Sequence, residues 1–146
     1  MGVGATPFGG ASDLEATRSP DLPRRAWGAY CEGVVGMGRQ ADPGSANSEI
    51  FFMREAARRL DHEYTVWGRV VQGLDVVRAM KVGEPPADPD RMLRVRVAAD
   101  LPPAERPRLE IAEVRGPAFR ARVAALRAQK GADFSVCDVE VPVRTR

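Results

Sequence analysis

Short apolar runs rich in β-branched and aromatic residues constrain the fold of this chain more than any other feature. Three such runs, Val34–Met37, Ile50–Met53 and Tyr64–Val71, each have the length of one strand. Side chains of this kind favour the pleated, half-buried surface of a sheet. The segment between the first two runs, residues 40–48, is rich in the turn formers Asp, Pro, Gly, Ser and Asn. The pattern predicts a mainly β fold with short helices.

The rest of the chain predicts further strands and two helices. In chain order these elements are a short helix opened by Gly73, a strand at Met92–Ala98, a Pro-rich linker at 100–107, a strand at 108–114, a helix at 117–130 and a strand at 134–143. Met92–Ala98 alternates apolar and basic residues, which is typical of a strand with one solvent-facing side. Pro117 suits the first turn of a helix, and Gly131 suits its C-terminal cap. The apolar residues of the last strand change parity, which a bulge or change of face near Cys137 would reconcile.

Length and composition exclude several classes of protein. The 146 residues correspond to about one domain, and 44% hydrophobic residues suffice for a packed core. The formal net charge is +2, without the clustering of Lys and Arg that nucleic-acid binding requires. No apolar run approaches the roughly 18–20 residues of a membrane-spanning helix, and no secretory signal is visible. We therefore expect neither a nucleic-acid partner nor a membrane span, and the compartment, cytoplasmic or periplasmic, stays open.

The two cysteines and the single histidine limit disulfide and metal chemistry. Cys31 and Cys137 form no disulfide framework, and their spacing fits no metal site. We expect two partly buried thiols, since a single bridge from the tail to the core would require an oxidising compartment. Because His62 is the only histidine, a multi-histidine zinc site is excluded, and no metal ligands are assigned.

Two short motifs suggest chemistry that their context does not support. The segment Gly36–Gly38 resembles the start of a dinucleotide-binding fingerprint, but no third glycine follows at the required offset, and a proline-containing loop takes the place of the helix. The segment Asp61–Glu63 could suggest acid–base chemistry. Three consecutive side chains cannot face one pocket, however, and we expect an exposed turn.

Met37 and Trp67 are predicted to be core residues.

Four blocks, taken in order, resemble cyclophilin-type peptidyl-prolyl isomerases. Gly33–Arg39 resembles the family segment GTVGMAR, Asp42–Phe52 resembles DPNSANSQFF, Leu60–Val70 resembles LDGKYTVFGRV, and Gly73–Val77 resembles GMDVV. The resemblance covers roughly residues 33–101. It implies an eight-stranded antiparallel β-barrel capped by two helices, of which the last four strands and the second helix map onto this chain.

The resemblance also predicts how the chain is organised. We expect an irregular N-terminal segment at 1–32, a cyclophilin-like barrel portion at 33–101, and a C-terminal β-α-β-like extension at 102–146 that packs on the barrel. A barrel from which strands are missing exposes unpaired edges. We expect the tail strand to cover the open side, or else a second copy of the chain to pair with an edge.

A set of substrate-binding residues follows from the resemblance, one position at a time. They are Gly38, Arg39, Glu49, Phe51, Leu60 and Tyr64. Phe51 matches the aromatic floor of the proline pocket, while Leu60 and Tyr64 match its walls. Gly38 and Arg39 match the segment that pairs with substrate backbone. Glu49 stands where the family has Gln, which replaces a neutral donor by a carboxylate.

The implied activity is cis–trans isomerisation of the bond before proline, which needs neither a cofactor nor a covalent step. Amide resonance sets a barrier of about 18–20 kcal/mol. The family lowers it with an arginine in the segment FxRxxxxFxxQGGD, which this sequence does not contain. No catalytic residue is therefore assigned, although Arg39, Arg24 or Arg25 could stand in. We expect an isomerase with impaired turnover that acts on proline-containing polypeptides; the alternatives are a non-catalytic proline-peptide binding module or a truncated fragment.

Overall fold

A computed structural model of the chain describes residues 27–83 and 85–145. Most of the irregular segment predicted at 1–32 therefore lies outside the described residues. The described part contains two antiparallel sheets and short helices, which confirms the predicted mainly β fold class. The strands of the first sheet are β1 (Val34–Met37), β2 (Ile50–Phe52) and β3 (Val66–Arg69). Their spatial order is β2-β1-β3, so that β1 is the central strand.

The register of the first sheet places Gly36 between two apolar side chains. Gly36 lies opposite Phe51 on β2 and opposite Val66 on β3, and the β1–β3 pairing shifts between Val35 and Gly36. Side chains alternate between the two faces of a strand. Val35 is buried, whereas Trp67 on β3 is 52% exposed. The prediction that Trp67 belongs to the core is therefore wrong, because its strand turns the indole toward solvent.

Two glycines with positive φ lie at the two ends of the first sheet, one before β1 and one after β3. Gly33 has φ +75°, and its carbonyl accepts a hydrogen bond from the amide of Val70. Gly73 has φ +81° and precedes helix α1 (Leu74–Ala79), as predicted. A side chain at either position would be strained, since only glycine adopts this region without steric cost. The buried Val77 attaches α1 to the core.

The C-terminal region forms the second sheet and the longer helix. Strand β4 (Leu109–Ile111) pairs antiparallel with β5 (Val143–Thr145), and helix α2 (Pro117–Lys130) lies between them in the chain. Pro117 occupies the first helical turn and Gly131 the C-cap, with φ +57°. The predicted order of strand, helix and strand is confirmed. Each residue of α2 remains at least partly exposed.

Two predicted strands are wrong in whole or in part. Residues 91–97 form no regular secondary structure and pair with no strand among the described residues, and Leu93 is 94% exposed. Alternating apolar and basic residues form a strand only where a second strand is available to pair with them. The local sequence does not show whether such a strand is present. The strand predicted at 134–143 is replaced by a 3₁₀ turn at Val136–Asp138, and only β5 at its end is a strand. Ser135 and Asp138 form a capping box around this turn, so the chain turns here where a bulge within a strand was predicted.

A disulfide joins the two regions. Cys31 and Cys137 are bonded across a sequence separation of 106, with their Cα atoms 5.1 Å apart. The expectation of two free thiols is therefore wrong, because the fold brings the two positions within the usual Cα distance of a disulfide. Val136, Val139 and Val141 are buried on the tail side of the bond.

The tail does not extend the first sheet. Strand β5 pairs with β4, and β2 and β3 remain the edges of the first sheet among the described residues. The expectation that the tail strand covers the open side by pairing is thus wrong. A strand of three residues already paired to β4 has only one remaining edge, and the covalent bond at Cys137 is what connects the tail to the segment before β1.

Candidate functional site

Three aromatic rings form a cluster at the centre of the first sheet. The rings of Phe51 and Tyr30 are stacked with centroids 5.7 Å apart and planes 19° apart. Tyr64 meets the same Phe51 ring edge-on, at 5.6 Å and 87°. Offset stacked and edge-to-face pairs are the favourable arrangements for aromatic side chains. Phe51 is only half-buried, so part of its ring remains accessible while two neighbours fix its orientation.

Tyr30 is held in place by its backbone as well as by its ring. It is 0% exposed, its amide donates to the Asp61 carboxylate (Oδ1) at 2.9 Å, and its carbonyl accepts from the Ala57 amide at 2.8 Å. The Tyr30 hydroxyl is buried without a hydrogen-bond partner among the described residues. Burial, and then the negative charge of Asp61 and the neighbouring Tyr64, raise the pKa of Tyr30 to about 12.

Gly36 makes room for the two rings. A Cβ atom added at this residue would collide with the Phe51 ring and would lie 2.6 Å from the Tyr30 hydroxyl oxygen. Real Cβ atoms do not approach other atoms so closely, so an alanine here would displace one of the rings. The glycine at this point of β1 is therefore a packing requirement of the cluster.

Arg39 covers Tyr64 from the adjoining loop. Its guanidinium carbon lies 4.9 Å from the centre of the Tyr64 ring, within the range of a cation–π interaction. The same group donates to the carbonyls of Glu63 and Gln40, both at 2.9 Å, and to that of Ala41 at 3.2 Å. A longer contact of 3.4 Å joins it to the Glu63 carboxylate. These bonds hold Arg39 in one orientation beside the cluster.

Gly38 and Glu49 lie opposite each other, directly after the end of β1 and directly before the start of β2. The Gly38 amide donates to the Glu49 carbonyl at 2.8 Å, and a Cβ at Gly38 would lie 2.9 Å from that of Glu49. The loop between them is internally braced. Asp42 accepts from the Gly44 amide at 2.8 Å, and the Ser45 hydroxyl oxygen accepts from the Gln40 amide at 2.9 Å. The Glu49 side chain is exposed at the rim of the cluster.

Leu60 and Asp61 belong to the turn that precedes Tyr64. Leu60 is half-buried and ends the 3₁₀ turn Arg58–Leu60. The prediction of an exposed turn at Asp61–Glu63 holds for His62 and Glu63. It is wrong for the Asp61 side chain, which is 8% exposed because it accepts from Tyr30 and pairs with Arg58.

The structure thus brings together Arg39, Phe51 and Tyr64 directly, and Gly38 with Glu49 beside them. Their role in binding substrate stays a prediction, as does that of Leu60. Sequence reasoning missed Tyr30 and Asp61. Neither residue lies in a periodic run, and the hydrogen bond between them spans 31 positions, which local patterns do not reveal.

The described residues contain neither a candidate metal cluster nor a candidate membrane-spanning helix. No group of three or more His, Cys, Asp or Glu side chains within them could hold a metal ion. Within the same residues, no helix is long and apolar enough to cross a membrane.

Comparison with known proteins identifies the family. A protein-family model described as "Cyclophilin type peptidyl-prolyl cis-trans isomerase/CLD" matches residues 10–97, which is more than half of the chain. The sheet and its ring cluster therefore lie within the peptidyl-prolyl isomerase class of domains. The chain belongs to the cyclophilin family.

The curated relatives are longer than this chain. Proteins of Brucella abortus (strain 2308) and Brucella suis biovar 1 (strain 1330), each named "Probable peptidyl-prolyl cis-trans isomerase", are 37% identical over 87 residues. The aligned region is 56% of this chain and 44% of each relative. The chain thus spans less than half the length of the curated relatives it matches.

A solved structure extends the likeness into the tail. The crystal structure of cyclophilin AquaCyp293 from Hirschia baltica matches with a TM-score of 0.73 and 35% sequence identity. The match covers 89% of this chain and 48% of that one. Since 89% of 146 residues is about 130, the match includes at least about 33 residues beyond residue 97.

Proposed function

We propose that this chain binds proline-containing polypeptides at the Phe51 cluster. We further propose that it is a cyclophilin-type peptidyl-prolyl cis-trans isomerase with impaired turnover as an isolated 146-residue chain. The observation that carries the proposal is the fixed, half-exposed Phe51 ring between Tyr30 and Tyr64. Family membership supports the type of reaction.

A fixed aromatic ring suits a proline side chain for a physical reason. The pyrrolidine ring is rigid and apolar, so packing it against another rigid ring buries surface with little loss of side-chain freedom. Phe51 is already oriented by stacking on Tyr30 and by the edge of Tyr64. Gly38, Arg39 and Glu49 lie at the rim and are the proposed contacts to substrate backbone. Leu60 is the proposed apolar wall.

Turnover requires more than a pocket. Rotation becomes easier when a donor approaches the prolyl nitrogen and weakens amide resonance. Among the described residues, Arg39 is the arginine beside the cluster, but its donors already bond to the carbonyls of residues 40, 41 and 63. Loss of one well-placed donor in a preorganised site typically costs about 10²–10³ in rate. We therefore expect binding to be retained more fully than catalysis.

The same engagement of Arg39 favours a second candidate, a proline-peptide binding module without catalysis. Its binding residues would be Phe51, Leu60 and Tyr64. The two candidates differ only in whether the bound prolyl bond isomerises faster than it does free in solution.

A paired experiment tests both candidates. A protease-coupled isomerisation assay on a proline-containing tetrapeptide measures turnover, and NMR titration with the same peptide measures binding. We compare the parent chain with Phe51→Ala and with Phe134→Ala, which removes a half-buried aromatic ring of the tail that contacts Arg127. Circular dichroism establishes that each variant is folded.

The expected result is weak catalysis with measurable binding, both lost in Phe51→Ala and both kept in Phe134→Ala. Binding without any acceleration would select the binding module. Equal behaviour of the two variants would show that the cluster is not the site. A rate approaching that of a complete cyclophilin, unchanged by replacing Arg39, would refute the claim of impaired turnover.

We also propose the division into a barrel portion at 33–101 and a packed tail at 102–146. The disulfide and the buried valines at 136, 139 and 141 support tail packing. Electrostatics supports it as well. The pKa of Arg78 on α1 is raised first by its hydrogen bond to Glu32, and to a smaller extent by Glu140 of the tail. We also propose that the chain can self-associate through an open sheet edge.

A further inference from the structure

One segment has the alternating sequence of a strand but lies unpaired on the surface. We name residues Arg91–Val97 the basic segment. Its backbone forms no ladder with another strand of the described residues. Leu93, Val95 and Val97 are 94%, 65% and 64% exposed. Exposed, extended backbone with apolar side chains is a template for pairing with another strand.

The basic segment has two chemically distinct faces. Successive side chains of an extended chain point to opposite sides. When residues 93–97 adopt a strand, Leu93, Val95 and Val97 share one face, and Arg94 and Arg96 share the other. Arg91 and Met92, at the start of the segment, do not follow this alternation. A strand that pairs with this segment should bring apolar residues to the first face and acidic residues to the second.

Pairing of the basic segment with itself does not meet this requirement. An antiparallel register centred on Val95 aligns the apolar faces of two copies. It also sets Arg94 of each copy opposite Arg96 of the other, which gives two pairs of like charges. Like charges directly opposite each other destabilise a sheet. Shifting the register by one residue removes that conflict only by placing apolar residues opposite arginines.

Strand β4 carries the complementary pattern. Leu109 and Ile111 are exposed and flank Glu110, so the strand alternates apolar and acidic residues. Strand β4 pairs on one side with β5, and its other edge is unpaired among the described residues. The Ala112 amide donates to the Pro142 carbonyl, on the β5 side. Because backbone groups alternate, those of Leu109 and Ile111 point toward the unpaired edge.

The other edges fit less well. Strand β3 contains Arg69 opposite Val34 of β1, and a second arginine strand beside it would again set like charges together. Strand β2 lacks alternation, since Ile50–Met53 is a continuous apolar run.

We propose that the basic segment of one copy of the chain adds to the unpaired edge of β4 of a second copy. The antiparallel register sets Arg96 opposite Glu110, Val95 opposite Ile111, and Val97 opposite Leu109. Each copy offers both surfaces, so two such ladders related by a two-fold axis close a dimer. The inference does not depend on the proposed isomerase function, because none of these residues belongs to the ring cluster.

Mixing two charge-altered chains tests the dimer. Arg96→Glu places Glu opposite Glu110 in its own homodimer. The second chain carries Glu110→Arg together with Arg144→Glu, which preserves opposite charges between β4 and β5, where these residues are partners. Its homodimer sets Arg opposite Arg. A mixed dimer has opposite charges in both ladders. Arg120→Glu, on the exposed side of α2, changes the net charge by as much as Arg96→Glu does and is its control, while the doubly substituted chain keeps the parent's net charge.

Sedimentation velocity over a range of concentrations measures association of the complete chains. We expect the parent and Arg120→Glu to dimerise alike. Each of the other two chains alone should associate about tenfold more weakly, since two cross-strand charge pairs change from attractive to repulsive. Their equimolar mixture should regain the parent's association. A parent that stays monomeric, an Arg96→Glu chain that associates as the parent does, or a mixture that behaves as the sum of its parts would each overturn the proposal.

Hydrogen exchange on the parent chain provides a measurement that needs no variant. The amides that face each other in the proposed ladder, those of Val95, Val97, Leu109 and Ile111, should exchange more slowly as concentration rises, while those of α2 should not change. Protection that is independent of concentration would indicate pairing within one chain and would also overturn the proposal.

Discussion

The two halves of this molecule are stabilised by different means. The first, residues 27–80, buries Tyr30, Val35, Met53 and Val77 around a three-stranded sheet. The second, residues 98–145, has a helix without a fully buried residue and a sheet of two three-residue strands. Its buried side chains, Val136, Val139 and Val141, all lie beside Cys137.

The difference shows how a small tail can be ordered without a core of its own. About 40 residues rarely bury enough surface to fold alone and often rely on a covalent link. The first half relies on side chains that fit one another, as Gly36 fits the Tyr30 and Phe51 rings. The second is joined to the segment that carries Tyr30 by the Cys31–Cys137 bond, and its buried valines lie close to that bond in the chain. The predictions below test each means of stabilisation separately.

Removing the Tyr30 ring should have the largest effect. Tyr30→Ala leaves a cavity under Phe51 and should lower the free energy of unfolding by about 3–5 kcal/mol, as for other large aromatic truncations. Urea denaturation followed by circular dichroism measures the change. Tyr64→Ala, which removes a half-buried ring, should cost clearly less. Equal losses in the two variants would contradict the central place of Tyr30 in the cluster.

Removing the disulfide should have the next largest effect. Replacing Cys31 and Cys137 by Ser should lower stability by about 2–5 kcal/mol, because the bond closes a long loop and restricts the unfolded chain. Limited proteolysis should then cut residues 98–145 before 27–80. A reductant should reproduce the change in the parent and have no effect on the serine variant. If reduced and oxidised parent chains resist protease equally, the tail does not depend on the bond.

The sequence predicted the parts of the fold that are determined locally. Pro117 and Gly131 fixed the ends of α2, and the turn formers at 40–48 gave the connection between β1 and β2. The basic segment shows where local reasoning stops, since its alternation is that of a strand but pairing depends on a distant neighbour. The Cys31–Cys137 bond is also non-local, because two cysteines 106 residues apart carry no sign of their proximity.

The candidate site divides in the same way. Phe51, Tyr64 and Arg39 lie in blocks that resemble the family and could be found from sequence. Tyr30 is a single aromatic residue in a segment without periodicity. Its place in the cluster becomes evident only in the folded chain, where its ring stacks on that of Phe51 in β2. Asp61 was assigned to an exposed turn because its partner is the backbone amide of Tyr30, which no side-chain pattern indicates.

Adding one methyl group at Gly36 should have an intermediate effect. Gly36→Ala should destabilise the fold by about 1–3 kcal/mol, because the new Cβ overlaps the Phe51 ring and the Tyr30 hydroxyl. Gly68→Ala on β3 is the matched control, since a Cβ there meets nothing within 4 Å. Both variants change a strand glycine of the same sheet. A comparison of their urea midpoints isolates the packing of the ring cluster, and similar midpoints would show that the rings move aside at little cost.

The Tyr30 hydroxyl should produce the smallest and most specific effect, visible as a pH dependence. The pKa of Tyr30 is raised from 10.0 to about 12, first by burial and then by Asp61 and Tyr64. The folded state therefore holds the phenolic proton more tightly than the unfolded state. This contribution to stability is fully present below pH 10 and is lost as the pH rises through about 12, with a slope of at most about 1.4 kcal/mol per pH unit.

Tyr30→Phe has no proton to lose at this position, and it removes a buried hydroxyl that has no hydrogen-bond partner among the described residues. Its stability below pH 10 should equal or exceed that of the parent, since no hydrogen bond is broken. Between pH 10 and about 12 the parent should weaken more steeply than Tyr30→Phe. Urea midpoints measured across that range for the parent and Tyr30→Phe decide the matter. If the urea midpoints of the parent and of Tyr30→Phe fall in parallel as the pH rises, the Tyr30 hydroxyl reaches water. The ring cluster would then be less closed than the burial of Tyr30 indicates.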